Sequence, residues 1–183
     1  MKTLATQPPA ADNDAPVTNF SNCHVGILRQ LQALSDLREL LEPAARARQI
    51  ANQTLGFFNE AVLEHHSEEE RDLFPSVLAS AEPGEEHERV KTMTQRLTHE
   101  HRQLEALWKG LEPGLKKVAK GQDSGLDLAQ VQRLVDDYVA HAAYEEAKFL
   151  PLSQAILSRN SNHMAALGMR LHMRHLPAVN AYI

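Results

Sequence analysis

The residues able to do chemistry in this chain lie in two stretches written to one template. The first is His65-His66-Ser67-Glu68-Glu69-Glu70-Arg71-Asp72-Leu73-Phe74-Pro75, and the second is His141-Ala142-Ala143-Tyr144-Glu145-Glu146-Ala147-Lys148-Phe149-Leu150-Pro151. Both read H-x-x-x-E-E-x-x, two apolar residues, then Pro. A single histidine precedes each copy: His24 stands 41 residues before His65, and His101 stands 40 before His141. Histidine and glutamate four apart on a helix share a face. His24, His65, Glu69, His101, His141 and Glu145 would then place four imidazoles and two carboxylates in one core. Imidazole and carboxylate without thiolate suit iron, manganese or zinc. Six protein ligands exceed what one tetrahedral zinc ion uses. Two ions sharing two bridging glutamates, each with two histidines, account for all six, and leave room for an oxo or hydroxo bridge and an open position.

Each of these histidines falls on or beside an apolar stripe. Ile27, Leu28 and Leu31 follow His24, and Phe58, Ala61 and Val62 precede His65. Leu97, Leu104 and Trp108 surround His101, and Leu134, Tyr138 and Phe149 surround His141. Burying an unpaired carboxylate costs several kcal/mol, a large part of a domain's stability. Something must compensate, and either bound metal or hydrogen-bonded His–Glu ion pairs would do so. The first copy has two registers, because His66 and Glu70 are also four apart. Residue 142 is Ala, so the second copy has one. Counting back ten from each Pro selects His65 with Glu69 and sends His66 and Glu70 toward the rim as partners of the ligands. Glu100 is a candidate proton carrier, Asp137 a candidate orienting group, and Glu105 either a surface carboxylate or a ligand.

Long helices must position these residues. The periodicity predicts a first helix over about 19–41, ended by Pro43, and a second from Ala44 through Glu69, kinked at Pro75. A third runs over about 86–111. A Pro/Gly-rich connection then spans 112–125, and a fourth helix runs over about 126–157. A short fifth helix follows Asn160 or Ser161. No segment shows strand alternation. The expected architecture is all-α: an up-down-up-down four-helix bundle with a short C-terminal helix. Residues 1–18 are expected to be a flexible tail, and 19–183 the bundle domain.

The chain has 183 residues, a formal charge of −5 and one cysteine, Cys23. That charge gives no general pull toward nucleic acid or acidic lipid. One cysteine excludes an intrachain disulfide and a cysteine-rich metal site. No run is long and apolar enough to span a membrane or act as a secretory signal. The expectation is a soluble cytoplasmic protein.

The pattern resembles the hemerythrin-like (HHE cation-binding) family over roughly residues 20–157. The resemblance rests on His24, His65-x-x-x-Glu69-Glu70-x-x-Leu73-Phe74-Pro75, the Glu100-His101 pair, and His141-x-x-x-Glu145-Glu146 ending in Phe149-Leu150-Pro151. It implies a non-haem di-iron centre in a four-helix bundle, with manganese or zinc as other candidate ions. Oxygen-carrying members have a second histidine one turn after the third-helix histidine, where this chain has Glu105, and their last motif ends in Asp five residues on, where Glu145 follows at four. The ligand pattern is closer to the iron-centre repair and nitric-oxide-response branch, whose N-terminal Cys-containing domain this chain lacks. The resemblance implies binding of dioxygen or nitric oxide in an oxygen or nitrosative stress response. The alternatives are an enzyme reducing nitric oxide or peroxide or repairing iron centres, and an iron storage or sensing protein. The expected partner is a small diatomic ligand, with no nucleic acid and no membrane.

Overall fold

A computed structural model describes residues 16–159. They form six α-helices: α1 (Pro16–Phe57), α2 (Leu63–Glu68), α3 (Phe74–Ser80), α4 (Glu85–Ala119), α5 (Leu128–Tyr144) and α6 (Leu150–Leu157). Three π-helical turns, Phe58–Val62, Glu69–Leu73 and Glu145–Phe149, link α1 to α2, α2 to α3 and α5 to α6. The all-α class holds, with no strand among the described residues. None of their helices is long and apolar enough to cross a membrane. Most of the expected N-terminal tail and the whole expected C-terminal helix lie outside the described residues. α1 begins at Pro16, within the last residues assigned to that tail.

Two expected boundaries differ. The break at Pro43 is absent, and α1 runs through it. A proline inside a helix costs about 3 kcal/mol. Here it is flanked by good helix formers, Glu39-Leu40-Leu41-Glu42 before and Ala44-Ala45-Arg46-Ala47-Arg48 after. The described residues therefore hold three long helices, α1, α4 and α5. The third helix also outlasts its expected end at Leu111, continuing through Pro113 to Ala119. Gly114 lets the following loop close on it, because a Cβ there would lie 2.8 Å from Leu126 Cδ1. Gly121 then turns the chain at φ 69°, its N–H donating to the Val118 carbonyl at 2.9 Å. Asp127 starts α5, its carboxylate accepting from the N–H groups of Ala129 and Gln130.

The chain divides into two compact units, residues 1–46 and 47–183. The described part of the first is the N-terminal portion of α1. His24 is exposed there, and so is the apolar stripe of Ile27, Leu28, Leu31, Leu34 and Leu41. In the second unit α4 packs along α5, and α3 packs against α6. The inward stripe of α4 is Val90, Met93, Thr94, Leu97, His101, Leu104, Trp108 and Leu111, a three-and-four spacing in which His101 takes an apolar residue's place. One apolar cluster gathers Phe74, Val77, Val90, Met93, Leu97, Phe149, Ile156 and Leu157. Another gathers Phe58, Val62 and Trp108.

The two motif copies use one backbone device. In each, a π turn starts at the first Glu of the pair and ends just before the residue preceding Pro. The N–H of Phe74 donates to the Glu69 carbonyl and that of Leu150 to the Glu145 carbonyl. Proline can neither donate to the carbonyl four residues back nor approach it closely, so the turn before it widens. The kink expected at Pro75 is thus present, and Pro151 repeats it.

Candidate metal centre

The helices of the second unit bring five of the six predicted ligands together. His65 is carried by α2, His101 by α4 and His141 by α5, while Glu69 and Glu145 open their π turns. Potential ligand atoms fall into two groups, His66 with His101 and His141, and His65 with Glu69 and Glu145, each within 4.8 Å of one another. Glu69 faces both groups: Oε1 lies 3.3 Å from His65 Nε2, and Oε2 lies 3.3 Å from His101 Nε2. Glu145 Oε2 lies 3.9 Å from His141 Nε2. The sixth predicted ligand, His24, lies in the first unit and belongs to neither group.

The two registers of the first copy prove not to be alternatives. His66 is 1% exposed, whereas the His65 side chain is 52% exposed. His66 therefore does not lie at the rim: it stacks on His101 with ring centroids 3.9 Å apart. His65 reaches Glu69 from the exposed edge. Counting from Pro put the histidine of interest at 65, because the second copy has alanine at the neighbouring position. The signal for His66 was its own spacing, three before Glu69 and four before Glu70, both on one helical face.

Two buried imidazoles, His101 and His141, share one polarity, and the third, His66, lies near a carboxylate without bonding it. His101 Nδ1 faces Glu70 Oε1 at 2.8 Å, His141 Nδ1 faces Glu100 Oε2 at 3.0 Å, and His66 Nδ1 lies 3.5 Å from Glu105 Oε1. A carboxylate only accepts, so the ring nitrogen facing it carries the proton. In a neutral ring this leaves Nε2 as a bare lone pair. The Nε2 atoms of His66, His101 and His141 are all buried without a hydrogen-bond partner among the described residues, as are His66 Nδ1, Glu69 Oε2 and Glu145 Oε1. Where Glu69 Oε2 and His101 Nε2 approach, the alignment is not that of a hydrogen bond.

Burial, followed by repulsion from His101, pushes His66 down to a pKa of about 3, so it is a neutral ring at ordinary pH. His141 is lowered as well, by burial, with Glu100 working against the shift. His101 goes the other way: burial opposes its charge, but Glu69 and Glu70 outweigh it. Burial and then the neighbouring Glu69 raise Glu145 to about 9. Glu69 is lowered, since contacts from His101 and Glu145 overcome the cost of burial. The two inner carboxylates thus hold one proton between them. Glu100 is lowered too: burial would raise it, but Arg96 and His141 hold it as an anion.

The remaining sequence candidates sort out around this core. Glu70, Glu100 and Glu105 each face a buried imidazole, so Glu105 is a partner of His66 and Glu100 an orienting anion. Asp137 instead pairs with Arg133 at 3.4 Å. The Tyr138 ring lies 6.0 Å from His141, and Tyr144 stacks under Arg96.

These residues fit a transition-metal ion. Bare imidazole nitrogens converging on inward carboxylate oxygens are what such an ion satisfies. His–Glu ion pairing accounts for His101 against Glu69 and Glu70 but leaves the Nε2 atoms of His66 and His141 without a hydrogen-bond partner among the described residues, and His66 is neutral. Residues 15–153 match the family model described as the hemerythrin HHE cation binding domain. A protein of Haemophilus influenzae, named only as uncharacterized, is 30% identical over 173 residues, covering 91% of this chain and 96% of the relative. No solved structure matches this chain.

Proposed function

We propose, for a chain that belongs to the family of hemerythrin HHE cation-binding domains, a non-haem di-iron protein that binds dioxygen or nitric oxide. The observation that carries this reading is the polarity of His101 and His141, Nδ1 bonded to a carboxylate and Nε2 bare, with the buried His66 ring beside them also unpartnered. Histidine–carboxylate pairing of that kind orients metal-bound imidazoles and raises their basicity.

Two ligand groups support the reading of two ions. One is all nitrogen, His66, His101 and His141. The other is His65, Glu69 and Glu145. Glu69 has an oxygen toward each group, as a bridging ligand would. His24 remains a predicted ligand on the strength of its place in the motif order. A four-helix up-down-up-down bundle, the arrangement the family resemblance implies, would need the N-terminal part of α1 as its first member. Manganese or zinc could use the same donors.

Iron held by these residues would supply a coordination position for a small diatomic molecule. Around it the chain contributes orientation rather than acid–base chemistry. Glu70 and Glu100 hold two of the rings, and Glu100 is anionic and paired, which argues against its donating protons to a reduced ligand. Binding is therefore favoured over reduction of nitric oxide or peroxide.

The test is metal analysis and an optical spectrum of freshly purified protein, followed by anaerobic mixing of the diferrous form with nitric oxide. About two iron ions per chain and a stable adduct are expected. Release of N₂O with oxidation to the diferric state would replace binding with turnover. A protein that takes up no iron would end the reading.

A further inference from the structure

Arg102 stands behind two of the buried imidazoles at once. Its Nη1 donates to both carboxylate oxygens of Glu105, at 3.0 and 3.1 Å, and its Nη2 donates to Glu70 Oε2. Glu70 in turn faces His101 Nδ1, and Glu105 faces His66 Nδ1. His66 and His101 are the stacked pair. One guanidinium thus closes a fork over the outer edges of both rings. On the opposite flank Arg96 does a simpler version of this for His141, donating to Glu100 at 2.7 Å.

We infer that Arg102 is a positioning residue that, through Glu70, fixes which nitrogen of His101 is left free for metal. Glu70 and Glu105 are both partly exposed, at 22% and 30%, and carry like charge. Without a cation between them they repel and turn to solvent, and His101 loses the acceptor that keeps its proton on Nδ1. The neutral His101 ring could then carry its proton on Nε2, where a metal could no longer bind without removing it. A planar fork reaches two carboxylates in fixed directions, and a lysine ammonium does not. The Arg102 side chain is itself 55% exposed and lines an open cavity of about 410 Å³ with Leu63, Ser67 and Arg71. Replacing it should not disturb the core.

This inference rests on the reading of His101 as a metal ligand, but its first test needs no metal. Ring-nitrogen NMR of the metal-free protein distinguishes the two tautomers of each histidine. At a pH where His101 is neutral, its ring should move from a single Nδ1–H form to a mixture in Arg102→Gln and in Arg102→Lys, while His141 stays as in wild type. Glu70→Ala should change His101 in the same way, which keeps the test open should Arg102→Gln fold poorly. Ferrous ion loaded into Arg102→Gln should escape to a chelator about 10-fold faster, the low end of the effect of removing partners of metal ligands. An unchanged tautomer at His101 in the Arg102 variants would overturn the role. A wild-type protein that binds no metal would overturn the ligand reading separately, and the tautomer result would still judge Arg102.

Discussion

The ring of His66 lies flat against that of His101, with planes 4° from parallel and centroids 3.9 Å apart. Two imidazolium rings would repel at that distance, and burial together with His101 keeps His66 uncharged. Phenylalanine at this position would preserve the flat contact and remove both nitrogens. Exchanging an unsatisfied buried polar group for an apolar one of similar shape is close to neutral. Metal-free His66→Phe should therefore unfold within about 1 kcal/mol of wild type in urea. Metal analysis should show at least one ion fewer per chain. Full occupancy would remove His66 from the ligand set.

The metal-free protein should lose stability at alkaline pH. Folded Glu145 holds its proton up to about pH 9, whereas the unfolded chain releases it near 4.5, so folding binds an extra proton in that window. Stability from this group falls as pH rises through it. His101, also raised, contributes in the same sense above its ordinary value of 6.5. His66 acts oppositely: its contribution is present above 6.5 and lost as pH falls toward 3. Melts of the metal-free protein should peak between about pH 4.5 and 6.5 and decline toward 9. A midpoint that climbs steadily to pH 9 would contradict this picture.

Glutamine at 145 imitates the protonated acid. Metal-free Glu145→Gln should match wild type below about pH 4.5 and lose much of the decline above it. The same variant should bind metal poorly, as should Glu69→Ala and His141→Ala, each losing at least one ion. Wild-type affinity should rise with pH over this range, because the ion displaces a proton. Competition with a chelator of known affinity, repeated at several pH values, measures the slope.

Packing and ligation should separate at Trp108. It stacks on Phe58 with centroids 4.1 Å apart and donates from Nε1 to Asn59 Oδ1 at 3.3 Å. Neither this stack nor this hydrogen bond involves a ligand group. Trp108→Ala should cost about 3–5 kcal/mol in denaturant unfolding. The fraction that remains folded should still load metal to the wild-type level.

Most of the second unit was legible from residue spacing. Leu97, His101, Leu104 and Trp108 announce the inward face of α4, and Pro75 announces the break in the first copy, whereas its counterpart before Pro151 was not expected. Pro43 misled, because proline penalises a helix by a fixed amount and the strong helix formers around it decide whether the helix survives. Pro113 misled for the same reason, with Gly114 read as a loop residue when it serves a close contact with Leu126. His65, Glu69, His101, His141 and Glu145 came from the repeat. His66 was assigned to the rim because the repeat was used to choose one register, and a repeat shows only what both copies share. Glu105 could not be placed from spacing, since its partner His66 is on another helix.

Each π turn holds one residue more than a regular helix needs between the acidic pair and the proline. Removing one residue there, for instance Ala147, would let the Leu150 N–H bond the Glu145 carbonyl at ordinary helical spacing. All that follows would keep its register, and only the residues inside the turn would shift. The surplus residue is thus absorbed where it stands, and the helix beyond it stays seated.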